Sequence, residues 1–254
     1  MKLPPVVDLG SCFISEPASC TCLLQHFNFV ILESRLANPA MRKLEDLIKD
    51  LPQGVTPSTI QHFSRIPLAQ PTLQDPSFRP FPSSRSVTND GRGHTLTGRT
   101  WNTPSTITEK LSFHRPSSAP PGSAYPHPED VRSEVRRFYT FGSDLNAHPD
   151  LLHGGVIATI LDSSLGTAIG RAFPGAGTEG MFTVQLNVGY KKPVRTPGTV
   201  RVRAWAVRVE GGGRKVWAEG VVESEGGEGE AVVHARAEGL WLRGKGKGKE
   251  GGKL

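Results

Sequence analysis

The chain has few of the features that mark secreted, membrane-spanning or metal-binding proteins. Its three cysteines, Cys12, Cys20 and Cys22, all lie near the start. An odd number of cysteines without metal-ligand spacing predicts reduced thiols. No apolar run reaches the ~18 residues that predict a transmembrane helix, and the first residues show no leader pattern. We therefore expect a cytoplasmic protein without a membrane span, with a mitochondrial location as the alternative.

Most of the chain also carries little net charge. The net charge is +6, but the residues from Arg243 onward, five of them basic against Glu250, contribute +4. The remainder is too weakly basic to predict a nucleic-acid-binding surface, so we expect no nucleic-acid partner. The Gly/Lys composition of residues 244–254 predicts a disordered tail.

The N-terminal half contains little hydrophobic periodicity. Residues 38–50 are the exception, because Leu44, Leu47 and Ile48 have helical spacing. Residues 52–128 are rich in proline and serine and predict extended chain, with one or two strands between Leu96 and Phe113. We interpret residues 1–132 as an N-terminal arm that packs along the following domain.

From Ser133 the pattern becomes regular. A strand candidate is followed by a long apolar helix and four further strand candidates, joined by glycine-containing turns. This order predicts an α+β domain over residues 133–243, in which an antiparallel sheet of five to six strands wraps around a central helix. Gly166 and Gly170 predict close approach of a neighbouring backbone to this helix. Arg201 and Arg203 alternate along one strand and predict a solvent-facing side.

The candidate catalytic residues lie where a loop leads into the predicted long helix. His153-Gly154-Gly155 precede it, and Asp162 lies within an apolar stretch of it. The first N–H groups of a helix have no intrahelical acceptor, and glycine allows a ligand to approach them. These are the requirements of an oxyanion hole. An acid such as Asp162 either faces solvent or acts as a base or nucleophile.

The spacing of these residues favours a shared site. Gly154 and Asp162 are eight residues apart, or roughly 12 Å along one helix. Both groups must lie within about 3 Å of the same reacting carbonyl. Two antiparallel helices related by a two-fold axis satisfy this requirement, so the motif predicts a homo-oligomer with its site at the dimer interface.

Three motifs in order resemble a known family. HGGVIATILDSSLG resembles the HGG-x6-D motif of PaaI-like hotdog acyl-CoA thioesterases, especially the long-chain branch related to the carboxyl-terminal modulator protein. FTVQLNVGYKKPV and VEGGGRKVWAEGVVES resemble later strands of that branch, so the likeness covers about 110 residues. FPGAGTEG is longer than the usual link after the helix and predicts a loop insertion.

The resemblance implies a single hotdog domain that hydrolyses a fatty or aryl acyl-CoA to free acid and coenzyme A, as a dimer or tetramer. It implies no metal and no cofactor. The catalytic residues that it implies are Asp162, Thr183, Gly154, Gly155, His153 and, more weakly, Asn146. The CoA-binding residues that it implies are Gly189, Tyr190, Lys191, Lys192, Arg214 and Lys215.

Two alternatives remain at this point. One is a non-catalytic acyl-CoA-binding or scaffold protein that keeps the fold without turnover. The other is a hotdog enoyl-CoA hydratase, because Asp144, Asn146 and His148 resemble the hydratase loop, although their spacing is one residue short. Substitution of His148 separates the hydratase from the thioesterase.

Overall fold

In the computed structural model the chain is described over residues 41–82, 91–118, 133–173, 180–211 and 213–244. The three cysteines, most of the predicted loop insertion after Phe173 and the tail beyond Gly244 lie outside these ranges. All described residues from Arg42 onward belong to one compact unit.

The first elements of the described residues are three short helices and a two-residue strand. They are α1 (Leu44–Lys49), α2 (Pro57–Ser64), α3 (Gln70–Gln74) and β1 (Arg79–Pro80). Helix α1 lies within the predicted helix, whereas α2 and α3 replace chain that was predicted to be extended. The reason is local: the Thr56 side chain accepts a hydrogen bond from the Thr59 N–H at 3.2 Å, and Pro57 occupies the first helical position.

The remaining described elements are strands, one long helix and two short helical turns, Leu96–Thr100 and Gly227–Gly229. In chain order the strands and the long helix are β2 (Ile107–Arg115), β3 (Glu134–Phe141), β4 (Asn146–His148), β5 (Leu151–Leu152), α4 (Gly154–Ala172), β6 (Met181–Tyr190), β7 (Gly198–Glu210), β8 (Lys215–Glu225) and β9 (Ala231–Arg243). Within the described residues, one antiparallel sheet has the order β1-β2-β3-β7-β8-β9-β6, and β4 pairs with β5 separately.

Helix α4 packs on one face of this sheet. Its buried residues Ile160, Leu161 and Leu165 belong to the same core cluster as Val202 of β7 and Val222 of β8. The predicted antiparallel sheet around a central helix is confirmed. It is wider than the predicted five to six strands, because β1 and β2 from the arm extend it beyond β3.

The opposite face of the sheet is covered at its β2–β3 end. Phe63 of α2 contacts Phe138 of β3 at 5.8 Å between ring centroids, and Phe138 contacts Phe113 of β2. All three rings are fully buried. Helices α1–α3 therefore form a third layer, and this part of the arm contributes to the folded core.

The prediction that Arg201 and Arg203 face solvent is wrong for Arg201, whereas the Arg203 side chain stays 33% exposed. The Arg201 side chain is only 13% exposed and pairs with Glu223 at 2.7 Å, and it donates to the Leu68 carbonyl. Arg203 donates to buried Glu134 at 2.6 Å. Both arginines do point away from α4, but neighbouring carboxylates and the segment before α3 cover that face.

Candidate active site

The two glycines at the N-terminus of α4 differ in the hydrogen bonding of their N–H groups. His153 is the N-cap, and its Nδ1 accepts a hydrogen bond from the Gly155 N–H at 2.8 Å. Among the described residues, the Gly154 N–H has no acceptor. Of the two N–H groups, that of Gly154 is therefore the one left to donate to a ligand, because the Gly155 N–H already donates to His153.

Strand β6 fixes this first helical turn. The Tyr190 hydroxyl donates to the Gly154 carbonyl at 2.9 Å. A Cβ on Gly154 would lie 3.5 Å from the Tyr190 ring, an ordinary van der Waals distance. Tyr190 therefore holds the start of α4 against the end of β6 while the Gly154 N–H stays available.

Asp162 and Thr183 form the second half of the site. The Thr183 hydroxyl donates to Oδ1 of Asp162 at 2.8 Å. Asp162 is half-buried and Thr183 is exposed. Because Thr183 engages one carboxylate oxygen and fixes the rotamer of Asp162, the other oxygen is free to act on a water or a substrate.

A β-bulge makes this arrangement possible. Thr183 lies opposite Trp241 and Gln185 lies opposite Leu240, so Val184 is an extra residue in β6. Residues seven apart on a regular strand point to opposite faces. With the bulge, Thr183 and Tyr190 both reach α4.

The two halves do not meet within one protomer. Helix α4 is continuous from Gly154 to Ala172, so its geometry separates the Gly154 N–H from Asp162 by roughly 12 Å along the axis. One carbonyl group cannot contact both groups of the same chain.

The side chain of Asn146 makes a hydrogen bond that connects two loops. Its Oδ1 accepts a hydrogen bond from the Thr196 hydroxyl at 2.6 Å, and the Leu145 carbonyl next to it accepts from the His153 N–H. Asn146 thereby ties the loop before α4 to the β6–β7 connection. His148, on the same short strand, is exposed.

The predicted CoA-binding residues at the end of β6 divide between the two faces of the sheet. Tyr190 faces α4, whereas Gly189 and Lys191 line a depression of about 310 Å³ on the opposite face together with Arg236. Lys192 is exposed, and its N–H, like that of Lys191, donates to a carbonyl at the start of β9.

Arg214 and Lys215 lie at the far end of the sheet. Lys215 is opposite Leu242 on β9, whereas Tyr190 is opposite Ala235. Seven residues of β-strand span roughly 23 Å. Within one protomer, the two groups of basic residues are therefore too far apart to contact the same phosphate group.

Sequence reasoning missed one residue of this region, Trp241, which lies directly opposite Thr183. Its place in a predicted strand gave no signal that distinguished it from the other apolar residues there. The described residues contain no group of three or more His, Cys, Asp or Glu that could hold a metal ion. They also contain no helix long and apolar enough to cross a membrane.

Residues 150–227 match the family model described as the thioesterase superfamily. The acyl-coenzyme A thioesterase THEM4 of Rattus norvegicus is 32% identical over 103 residues, which are 40% of this chain and 40% of the relative. The uncharacterized mitochondrial membrane protein FMP10 of Saccharomyces cerevisiae is 31% identical over 114 residues, 44% of this chain and 46% of the relative. The crystal structure of BH2602 from Bacillus halodurans with CoA is 28% identical, with a TM-score of 0.36, and the match covers 48% of this chain and 74% of that one.

The chain thus spans less than half the length of these two sequence relatives. The matched residues include the end of the His153 loop, all of α4 and the strands from β6 to β8. The predicted family resemblance is confirmed: residues 150–227 match the thioesterase superfamily, and this part of the chain has the predicted hotdog fold.

Proposed function

We propose that the domain hydrolyses a fatty or aryl acyl-CoA thioester to the free acid and coenzyme A. One observation carries the proposal: the Asp162 carboxylate is held by Thr183, while the Gly154 N–H at the start of the same helix is free of a described acceptor. A carboxylate and an oxyanion donor are the groups that acyl transfer to water requires. The name of the THEM4 relative, an acyl-coenzyme A thioesterase, supports the same reaction.

The proposed chemistry follows from these two groups. The Gly154 N–H donates to the thioester oxygen and stabilises the negative charge of the tetrahedral intermediate. Asp162 either takes a proton from the attacking water or attacks the carbonyl carbon itself. Collapse of the intermediate breaks the C–S bond, and the leaving thiolate takes up a proton to become coenzyme A. When Asp162 is the nucleophile, water then hydrolyses the acyl–Asp162 anhydride, which releases the free acid and restores the carboxylate.

A two-fold dimer through β6 completes the proposed site. Strand β6 is an edge strand of ten residues without a single charged side chain, and Phe182 and Val184 on it are 66% and 55% exposed. Long, uncharged, exposed edges normally pair with another strand. We infer that β6 pairs antiparallel with β6 of a second copy.

The proposed pairing has a defined register. If Thr183 lies opposite Tyr190 of the partner subunit, the Asp162 that Thr183 holds meets the first turn of the partner subunit's α4. The two groups that are about 12 Å apart along one helix then come from different chains. The same pairing places Arg214 and Lys215 of one protomer at the same height along the strands as Lys191 of the partner subunit. The two groups of basic residues can then contact the phosphates of one coenzyme A.

The cellular location is a separate proposal. FMP10 is named a mitochondrial membrane protein, which favours the mitochondrial address over the cytoplasmic one. Fractionation of cells that express the tagged full chain tests it: recovery with mitochondrial markers supports this address, and recovery in the cytosolic fraction contradicts it.

Thiol release from a panel of acyl-CoAs, short to long and with phenylacetyl-CoA, tests the proposed reaction. We expect turnover by the wild type, loss of turnover in Asp162→Asn, and retention in the control Asp144→Asn, whose exposed carboxylate lies in the loop before α4. Acyl-CoA binding without turnover would instead support the non-catalytic binding protein. For an active enzyme, single turnover in ¹⁸O-water identifies direct attack when the label enters the Asp162 carboxylate and not the first product acid, because water then opens the acyl–Asp162 anhydride at the aspartyl carbonyl.

A further inference from the structure

Trp241 is a buried aromatic residue beside the proposed catalytic pair. It is 2% exposed and lies directly opposite Thr183 across the β6–β9 ladder. Side chains that are directly opposite on antiparallel strands point to the same face and start about 5 Å apart. Because Thr183 reaches Asp162 on α4, the indole also projects into the space between the sheet and α4.

Two glycines make room for this indole. Gly166 follows Asp162 by one helical turn on the same face, and a Cβ there would lie 3.5 Å from Nε1 of Trp241. A Cβ on Gly239 would lie 2.5 Å from the indole ring, so the ring lies over the backbone of β9. The indole therefore spans from the sheet to α4 at the first turn beyond Asp162.

The space along α4 reopens beyond this point. A Cβ on Gly170, one further turn along the helix, would meet no described atom within 4 Å. The close approach predicted at Gly166 is thus made by the Trp241 side chain and not by a neighbouring backbone. Trp241 separates the surroundings of Asp162 from the open space at Gly170.

We propose that Trp241 is the specificity-determining wall of the acyl site and restricts it to compact acyl groups, namely short-chain or aryl acyl-CoAs. This inference rests on the proposed thioesterase function. The thioester carbonyl must lie within about 3 Å of Asp162. An acyl chain that runs from there along α4 toward Gly166 meets the indole within about one helical turn, or ~5.4 Å. Long chains are excluded because the ring fills the gap between helix and sheet.

The test measures binding, so that it does not depend on turnover. In an Asp162→Asn background, the Kd of acyl-CoAs from four to sixteen carbons is measured by calorimetry for the full chain. Each methylene that becomes buried strengthens binding about fourfold. We expect this gain to stop at short chains. When Trp241→Leu is added, the gain should continue for roughly two more carbons, since the smaller isobutyl group leaves room for further methylenes.

Trp205→Leu is the matched control, because Trp205 lines the depression on the opposite face of the sheet. It should leave the chain-length profile unchanged. An unchanged profile in folded Trp241→Leu, an equal shift in Trp205→Leu, or the absence of acyl-CoA binding would overturn the inference. A shifted profile in a protein whose wild type binds but never hydrolyses acyl-CoA would contradict only the proposed hydrolysis.

Discussion

Thr183 and Tyr190 lie seven residues apart on β6, yet both donate hydrogen bonds to α4, Thr183 to Asp162 and Tyr190 to the Gly154 carbonyl. The extra residue Val184 restores a common face to the two side chains. One edge strand thereby fixes both the proposed base or nucleophile and the proposed oxyanion donor. Any change that shifts the register of β6 should disturb both groups together.

Gly154→Pro should remove the oxyanion donor without disturbing the helix. Proline lacks the N–H and is favoured at the first helical position, and His153 already has the extended backbone that a following proline requires (φ −63°, ψ 134°). We expect kcat to fall about 10²- to 10³-fold. Gly154→Ala is the control: it keeps the N–H and should retain most activity, as measured by thiol release. Equal losses in the two variants would indicate a steric effect and not a lost donor.

His148→Ala should leave hydrolysis unchanged. His148 is exposed on β4, and it would be the essential catalytic residue only if the domain were a hydratase. Enoyl-CoA hydration and acyl-CoA hydrolysis are measured side by side for this variant and the wild type. Hydration by the wild type that disappears in His148→Ala would point to the hydratase instead.

The hotdog core was predictable from the sequence because its signals are long and regular. Helix α4 is an apolar segment of nineteen residues, and the following strands alternate between glycine-containing turns. Asp162 was identified as an acid within an apolar stretch of the helix, Thr183 was identified through the family resemblance, and the structure places them in contact. The bulge at Val184 was not predictable, because an extra residue in a strand depends on its pairing with a neighbour and leaves no pattern of its own.

The arm was predicted less well because its elements are short. Helix α2 has eight residues and little periodicity, although Thr56-Pro57 carried a cap and a first-turn signal. The burial of Arg201 depends on Glu223 from another strand and on a carbonyl 133 residues away. The alternation of side chains along β7 correctly predicted that Arg201 and Arg203 lie on the same face of the sheet. It could not predict which residues cover that face.

Phe63→Ala tests whether the arm helices belong to the folded core. Phe63 is fully buried in the cluster that α2 forms with β2 and β3, so we expect a loss of about 3–5 kcal/mol in the free energy of unfolding. Urea denaturation measures it, with Gln61→Ala, an exposed change on the same helix, as the control. A loss near zero for Phe63→Ala would mean that this layer does not stabilise the domain.

The stability of the domain should rise with pH between about 4 and 6.5. Burial and, second, the charge of Arg171 lower the pKa of His114 from its ordinary 6.5 to about 4. In this window the unfolded chain binds a proton that the native state does not, so the free energy of unfolding increases as pH rises. The slope stays below about 1.4 kcal/mol per pH unit, because partial exposure screens the charge. Urea unfolding across this window should be flatter for His114→Gln, and an identical slope would rule out His114 as the source.

The shared site is tested most directly by thiol release from mixed variants. Gly154→Pro and Asp162→Asn are each expected to retain at most about 1% of wild-type turnover alone. When the two variants are dissociated and reassembled together, half of the dimers contain one chain of each variant. In such a dimer, one of the two sites combines an intact Gly154 with an intact Asp162 from the other chain. The account predicts recovery of about one quarter of wild-type turnover. Mixed dimers that form without any recovery would contradict a catalytic site shared between two protomers.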